Sequence, residues 1–403
     1  MIEKDRFRFI DKQLILFTLL ISAIGLLVIY SATQTINHSL FYKQIIWVTI
    51  GMFFMFVIIF IPRKFLYTFS YWIYITSVIL LILPLFLDHS SQAKRWIDFY
   101  FFQFQPSEFA KLGLILALVA LFSSKKESIS HPGELVLPFV ITLIPFLLVL
   151  IEPDLGTASV YPAILIFILF VKGIRLKLVL FILTPFLSFL TAFHWFSWFV
   201  FIIILIIFLS LYRQGFVYSF SLFAANSLVG TVTPIVWKHL KPYQQQRILS
   251  FINPGADPRG AGWHILQSKI AIGSGGIWGK GFLQGTQNKL FFLPEQHTDF
   301  IFSVLGEEWG FIGVFIVLSL FLLLIIRIII IMRSTRSEWG ILLLSGIAGY
   351  FIFQILLNIG MCINILPIAG IPLPLMSYGG SQTILSFILV GIALNIGYNR
   401  YEY

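Results

Sequence analysis

Cysteine is almost absent from these 403 residues: Cys362 stands alone, which excludes an internal disulfide and any metal site built on several thiolates. Charge is scarce too. Asp, Glu, Lys and Arg make up 11% of the chain, with 17 acidic residues against 27 Lys and Arg. The seven histidines are scattered, and no HExxH run, Cys/His cluster or Ser-His-Asp spacing occurs, so zinc-protease and triad chemistry have no residues to stand on. Nucleotide motifs fail as well. In Gly273-Ser-Gly-Gly-Ile-Trp-Gly-Lys-Gly281, Trp278 occupies the place of a dinucleotide fingerprint's last glycine, and Gly281 follows Lys280 where a P-loop needs Ser or Thr. Flexibility, or close backbone approach to a phosphate, are the two uses left for those glycines.

What is abundant is apolar. Hydrophobic residues are 59% of the chain and aromatics 17%, with a mean hydropathy of +0.95, too greasy for a water-soluble core. The composition predicts an all-α polytopic membrane protein, one integral domain over 1–403. Apolar runs fall at 13–33, 44–61, 69–87, 107–122, 135–151, 156–171, 178–193, 196–212, 217–235, 304–331, 340–363 and 381–397, about twelve spans of roughly helix-spanning length. The first run exceeds a signal peptide's apolar core and lacks a small-residue cleavage site, which predicts a retained span.

Lys and Arg sort the connections by side. Lys4, Arg6, Arg8, Lys12, Arg63, Lys64, Lys125, Lys126, Lys172, Arg175, Lys177, Arg213, Arg333, Arg336 and Arg400 all fall on alternate connections, whereas the other short loops hold only Lys43, Lys94 and Arg95. The positive-inside rule makes the first set, and both termini, cytoplasmic. A polar, basic, glycine-rich loop, 236–299, then lies outside. No nucleotide pool or nucleic acid is available there, so its cations suit either anionic headgroups or a lipid-linked phosphate.

Several residues carry a structural and a chemical reading at once. Asp299 ends the polar loop just before an apolar run: Thr298 or Asp299 caps the next helix, or Asp299 is a general base at the membrane interface. Glu108 and Lys111, three apart, share a helix face; they form a structural ion pair or border a wet cavity. Arg95 and Trp96 anchor a loop at the interface or meet a sugar. Glu152-Pro-Asp-Leu-Gly156 starts a helix or offers two carboxylates to a cation. Glu307 and Glu308, flanked by Gly306 and Gly310, face the same cavity as Asp299 or mark a locally solvated helix end. The proline-rich stretch 366–381 is either a re-entrant wall or a surface connection.

Six motifs, in order along nearly the whole chain, carry a family resemblance: Lys94-Arg-Trp-Ile97, Gln105-Pro-Ser-Glu-Phe-Ala-Lys111, Glu152-Pro-Asp-Leu-Gly-Thr157, the run from Gly262 to Gly276, Leu293-Pro-Glu-Gln-His-Thr-Asp-Phe-Ile-Phe302, and Pro372-Leu-Pro-Leu-Met-Ser-Tyr-Gly-Gly380. The chain resembles the SEDS family (shape, elongation, division and sporulation), in its RodA branch. The resemblance implies a SEDS-type helical bundle and a peptidoglycan glycosyltransferase that polymerises lipid II at the outer leaflet of the bacterial cytoplasmic membrane. It implies a class B penicillin-binding transpeptidase and other elongation-complex membrane proteins as partners, with membrane lipids but no nucleic acid. Asp299 matches the family's essential aspartate, and Trp96, Glu108 and Lys111 match positions around its substrate cavity. Arg95, Gln267, Ser268 and His297 are further candidates, and Arg259, Lys269 and Lys280 are candidates for the diphosphate. A divalent cation, Mg or Mn, is a possible assistant that the residues do not establish. The family core has about ten spans, so 178–214 reads as an inserted transmembrane hairpin. A lipid II flippase, or a non-catalytic scaffold for a penicillin-binding protein, are the rival readings.

Overall fold

A computed structural model describes residues 10–34, 38–86, 95–99, 102–124, 129, 131, 133–212, 215–240, 245–246, 249–251, 261–289 and 295–399. Helices dominate because a backbone crossing hydrocarbon must satisfy its own N–H and C=O groups. The first four are α1 (Lys12–Thr33), α2 (His38–Ile59), the short α3 (Arg63–Thr68) and α4 (Ser70–Phe86). A two-stranded hairpin, β1 (Ile97–Phe99) and β2 (Phe102–Phe104), precedes α5 (Pro106–Ser123), α6 (Gly133–Ile151) and α7 (Leu155–Lys172). Next come α8 (Leu176–Thr191), α9 (Trp195–Tyr212), α10 (Phe216–His239), α11 (Ala261–Ser274) and the one-turn α12 (Thr286–Lys289). The chain closes with α13 (Ile301–Ser334), α14 (Glu338–Cys362) and α15 (Gly380–Tyr398). Among the described residues, nine helices are long and apolar enough to cross a membrane, and three shorter apolar ones coincide with the remaining apolar runs.

Burial separates an inner ring from a lipid-exposed periphery. Helices α5, α14 and α15 are buried along most of their length, and α14 packs on α5 and α7 while α15 packs on α2. In contrast α8, α9 and α10 pack chiefly on one another. A polar seam joins them: Asn226 Nδ2 donates to Thr184 Oγ1 at 2.9 Å, Ser188 Oγ to the Asn226 carbonyl at 2.8 Å, and Trp198 Nε1 to Ser188 Oγ at 3.0 Å. Such bonds are a source of helix adhesion where lipid supplies no hydrophobic drive.

Charges clamp the end of the bundle that holds the C-terminus of α15. Lys172 pairs with Glu338, Arg327 with Asp11, and Arg63 donates to the Ile396 carbonyl at 2.8 Å. Asp11 also caps α1, accepting from Leu14 N at 2.8 Å, which satisfies one orphan donor of the first turn.

The glycine run 273–281 is a packing device rather than a slack loop. Helix α13 breaks at Gly310, whose φ of 62° and ψ of −161° are non-helical, and the run supplies substitute hydrogen bonds. Lys280 N donates to the Glu307 carbonyl and Gly281 N to the Glu308 carbonyl, both at 3.0 Å, and Phe311 N donates to the Gly276 carbonyl at 2.9 Å. A Cβ on Gly279, at φ 81°, would stand 2.1 Å from the Glu308 oxygen. Positive φ and overpacking together make Gly279→Ala cost about 2–5 kcal/mol. Gly273, with nothing within 4 Å of its Cβ position, is the control: Gly273→Ala is neutral or stabilising by up to about 1 kcal/mol. Thermal unfolding of the two variants in detergent checks the contrast.

Candidate active site

Asp299 lies in a tight turn that delivers the chain into α13. Glu295 adopts φ 49°, and its carbonyl accepts from Thr298 N and Asp299 N at 3.1 Å and from Phe300 N at 3.4 Å. The cap position of α13 falls on Phe300, whose side chain has no acceptor, so Asp299 and Thr298 sit one and two residues before the cap. Both line a cavity of about 1090 Å³, at the upper limit of small-molecule sites.

Other stretches of the chain wall that cavity with them. From α2 come Lys43 and Trp47; from the 95–104 hairpin come Arg95, Trp96, Asp98 and Gln103; Glu108 opens α5; Asp154 and Thr157 open α7; and Tyr378 to Gln382 open α15. Asp98 and Gln103 are cross-strand partners, which sets both side chains on one face of the hairpin. Arg95 is bound in place. Its Nε donates to the Glu152 carbonyl at 2.9 Å, another nitrogen donates to the Pro153 carbonyl, and Nη1 lies 3.6 Å from Asp154 Oδ2. Asp154 in turn caps α7, accepting from Thr157 N at 3.1 Å.

The 366–379 stretch is re-entrant. Leu373 and Met376 are fully buried, and a Cβ on Gly25 would stand 2.7 Å from Met376 Cα. Gly25 lies eight residues inside the end of α1, about 12 Å at the helical rise per residue. Gln44 holds the returning strand, donating to the Ser377 carbonyl at 3.2 Å and to Thr383 Oγ1 at 2.9 Å, and accepting from Gly379 N at 3.1 Å.

Of the residues anticipated from sequence, the cavity gathers Arg95, Trp96, Glu108, His297 and Asp299. Lys111 lies behind its wall, fully buried, 2.6 Å from Glu108 Oε1 and over the Tyr350 ring at 5.7 Å. Four others are not in its lining. Ser268 bonds Ser303 Oγ and the Cys362 carbonyl, both at 2.7 Å, between α11 and its neighbours, and Gln267 is buried beside it in α11. Lys269 is exposed. Lys280 is committed to Glu307 at 2.7 Å. Arg259 falls outside the described residues. Glu307 and Glu308 depart from expectation: Glu307 Oε1 accepts from Lys280, Thr286 N at 2.8 Å and Gln287 N at 3.1 Å, and Glu308 binds Ser31. These carboxylates fasten the glycine run and α12 to the broken helix, and neither is in the cavity lining.

Electrostatically the cavity is acidic, with Asp98, Glu108, Asp154, Glu295 and Asp299 against Lys43 and Arg95. Lys43, which the sequence marked only as a loop cation and not as a site residue, lines the cavity and pairs with no carboxylate among the described residues. Burial lowers the His297 pKa, against the pull of Glu295, so its imidazole is neutral at pH 7. Tyr378, 5.4 Å from it ring to ring, is raised by burial. No group of three His, Cys, Asp or Glu converges closely enough for a metal among the described residues.

Beneath Arg95 lies Glu152, with 1% of its surface exposed and no partner for either carboxylate oxygen among the described residues. Burial, reinforced by Asp154 and opposed by Arg95, pushes its pKa from 4.5 up to about 8. The protonated form is therefore native at neutral pH. This group's stabilising contribution is complete below pH 4.5 and is lost as pH rises through about 8. Unfolding temperatures measured from pH 5 to 9 should fall less steeply with pH in Glu152→Gln than in the wild type, because the amide has no proton to lose.

Comparison with known proteins covers the whole of this architecture. The profile of the FtsW/RodA/SpoVE family, described as cell cycle protein, matches residues 11–221 and 197–402, two stretches that overlap on α9 and α10. Peptidoglycan glycosyltransferase RodA of Treponema pallidum is 36% identical over 422 aligned residues, covering 96% of this chain and 97% of that protein. Peptidoglycan glycosyltransferase MrdB of Escherichia coli K12 is 35% identical, over 97% of this chain and 94% of its own. A solved structure described as the structural coordination of polymerization and crosslinking by a peptidoglycan synthase complex superposes with a TM-score of 0.73 at 30% identity, covering 98% and 99% of the two chains. The rod shape determining protein RodA of Thermus thermophilus gives 0.64 at 28% identity, covering 98% of each.

Proposed function

The chain belongs to the FtsW/RodA/SpoVE family of cell cycle proteins, and from that membership we propose that it is a peptidoglycan glycosyltransferase of cell elongation that polymerises lipid II. The observation that carries this reading is the convergence of Asp299, Arg95, Trp96 and Glu108 on one cavity large enough for a disaccharide. An apolar side chamber of about 80 Å³, between Trp47, Phe104, Phe109 and Leu385, shares Trp47, Gln103, Glu108 and Ser381 with it. A polar chamber sharing a wall with an apolar one suits a substrate that is sugar at one end and polyprenyl at the other.

In the reaction, the acceptor sugar's 4-hydroxyl attacks the anomeric carbon of the donor. Asp299 takes the hydroxyl proton, the new glycosidic bond forms, and the bond to undecaprenyl diphosphate breaks with its electron pair going to the departing oxygen. Trp96 offers an aromatic face to a sugar. Lys269 and Lys280 are not in the cavity lining, so among the described residues the cations placed to meet the diphosphate are Lys43 and Arg95. Fixed charges of this kind act where the leaving group develops its own. No step is assigned to Mg or Mn.

The cavity and the Lys172, Arg327 and Arg63 clamps lie at opposite ends of the helices, which supports an extracytoplasmic site in the cytoplasmic membrane, cytoplasmic termini and about twelve spans, ten in the core plus the 178–214 hairpin. The polymerising and crosslinking complex to which the chain is similar supports a class B penicillin-binding transpeptidase as partner. Purified protein incubated with lipid II, alone and with that transpeptidase, tests the reading. Glycan strands are the expected product; transbilayer movement of lipid II without strands would establish a flippase instead.

A further inference from the structure

The segment that bears Asp299 is held from behind by three successive carbonyls. The His297 oxygen accepts from Tyr378 N at 2.9 Å, the Thr298 oxygen from Ser377 Oγ at 2.7 Å, and the Asp299 oxygen from Asn358 Nδ2 at 2.9 Å. Asn358 does more than close the series. Its side-chain nitrogen also donates to the Ile371 carbonyl at 2.7 Å, so one amide grips the turn of Asp299 and the re-entrant stretch whose Gly370, Pro372 and Tyr378 wall the cavity. The residue is fully buried in α14, and its Oδ1 has no partner among the described residues. A buried amide that leaves its acceptor unused is there for its donors. Cys362, one helical turn on, adds a weak Sγ contact to the same Asp299 oxygen at 3.8 Å.

We infer that Asn358 is a positioning residue for the transfer reaction: by joining the Asp299 peptide to the Ile371 peptide it fixes the carboxylate against the adjoining cavity wall and so sets its distance to a bound acceptor hydroxyl. The inference rests on the polymerase reading of the site. Asn358 does not line the cavity, so substrate contacts survive its loss while the geometry of proton transfer does not. Misplacement by about 1 Å costs roughly 100-fold in rate.

Steady-state polymerisation of lipid II by the full chain, with unfolding temperature measured alongside, tests it. Asn358→Leu is expected to lower kcat at least about tenfold with KM within about twofold of the wild type. Ser377→Ala, which removes one hydroxyl, should lower kcat about 3- to 10-fold, also without moving KM. Ser377→Thr keeps the hydroxyl and should restore kcat to near the wild-type value. If Asn358→Leu does not fold, the Ser377 pair decides by the same split. Unchanged kcat in the folded variants, or a fall in kcat/KM carried by KM, overturns the inference while leaving the polymerase reading intact. Absence of polymer from the wild type overturns that reading and the inference with it.

Discussion

An Asp299→Asn protein is expected to polymerise lipid II about 10²- to 10⁴-fold more slowly than the wild type, the usual contribution of a general base. Asparagine keeps the size and the backbone of the turn, so the three carbonyl bonds behind residues 297–299 persist. KM should change little, because the wall residues Arg95, Trp96 and Lys43 are untouched. Labelled strands resolved on a denaturing gel give the rate, and an unfolding temperature within a few degrees of the wild type shows that chemistry alone was lost. A rate within about threefold of the wild type would remove Asp299 from the role of base. The same variant discriminates the rival activities, since neither a flippase nor a scaffold needs a carboxylate to take a hydroxyl proton.

Glu108→Ala is expected to cost about 3–5 kcal/mol, because it strands the Lys111 ammonium inside the bundle. Lys111 is fully buried, and its ion pair with Glu108 and the Tyr350 ring at 5.7 Å are its compensations. Glu108→Leu combined with Lys111→Met removes both charges and keeps the volume, so it should recover most of the stability. Activity should not follow, because Glu108 borders both the polar cavity and the apolar side chamber, where a leucine cannot hydrogen-bond a sugar. Unfolding temperature and strand synthesis measured on the same preparations separate the two effects. A double variant that regains both would reduce the pair to a purely structural role.

Elements set by lipid were the easiest to read from sequence. The apolar runs coincide with helices because hydrocarbon leaves the backbone no other choice, and the Glu108–Lys111 pair followed from three-residue spacing on one face. What depended on distant partners was not legible. Positive charge in the short connections indicated the side of the membrane, but charge in the polar loop carried no direction, so Lys280, which turns to Glu307, looked like a phosphate ligand, and Lys43 did not. The glycines at 275–281 suggested slackness because the helix break they fill lies about thirty residues on, at Gly310. The hairpin at 97–104 is too short and too aromatic to separate from the spans around it. Asp299 itself was readable as a cap or a base until the family motif weighted the second and the cap of the helix proved to be Phe300.

The cradle behind Asp299 also orders the protein's birth. Thr298 and Ser377 are 79 residues apart, and Asp299 and Asn358 are 59 apart. At about 5–20 residues per second, the ribosome delivers the aspartate roughly 4–16 s before the last of its supports has been made. During that interval the nascent chain already carries the turn of Asp299 while the donors of Asn358, Ser377 and Tyr378 that hold it are still to be made, so the cradle closes only after the aspartate's own segment has left the ribosome.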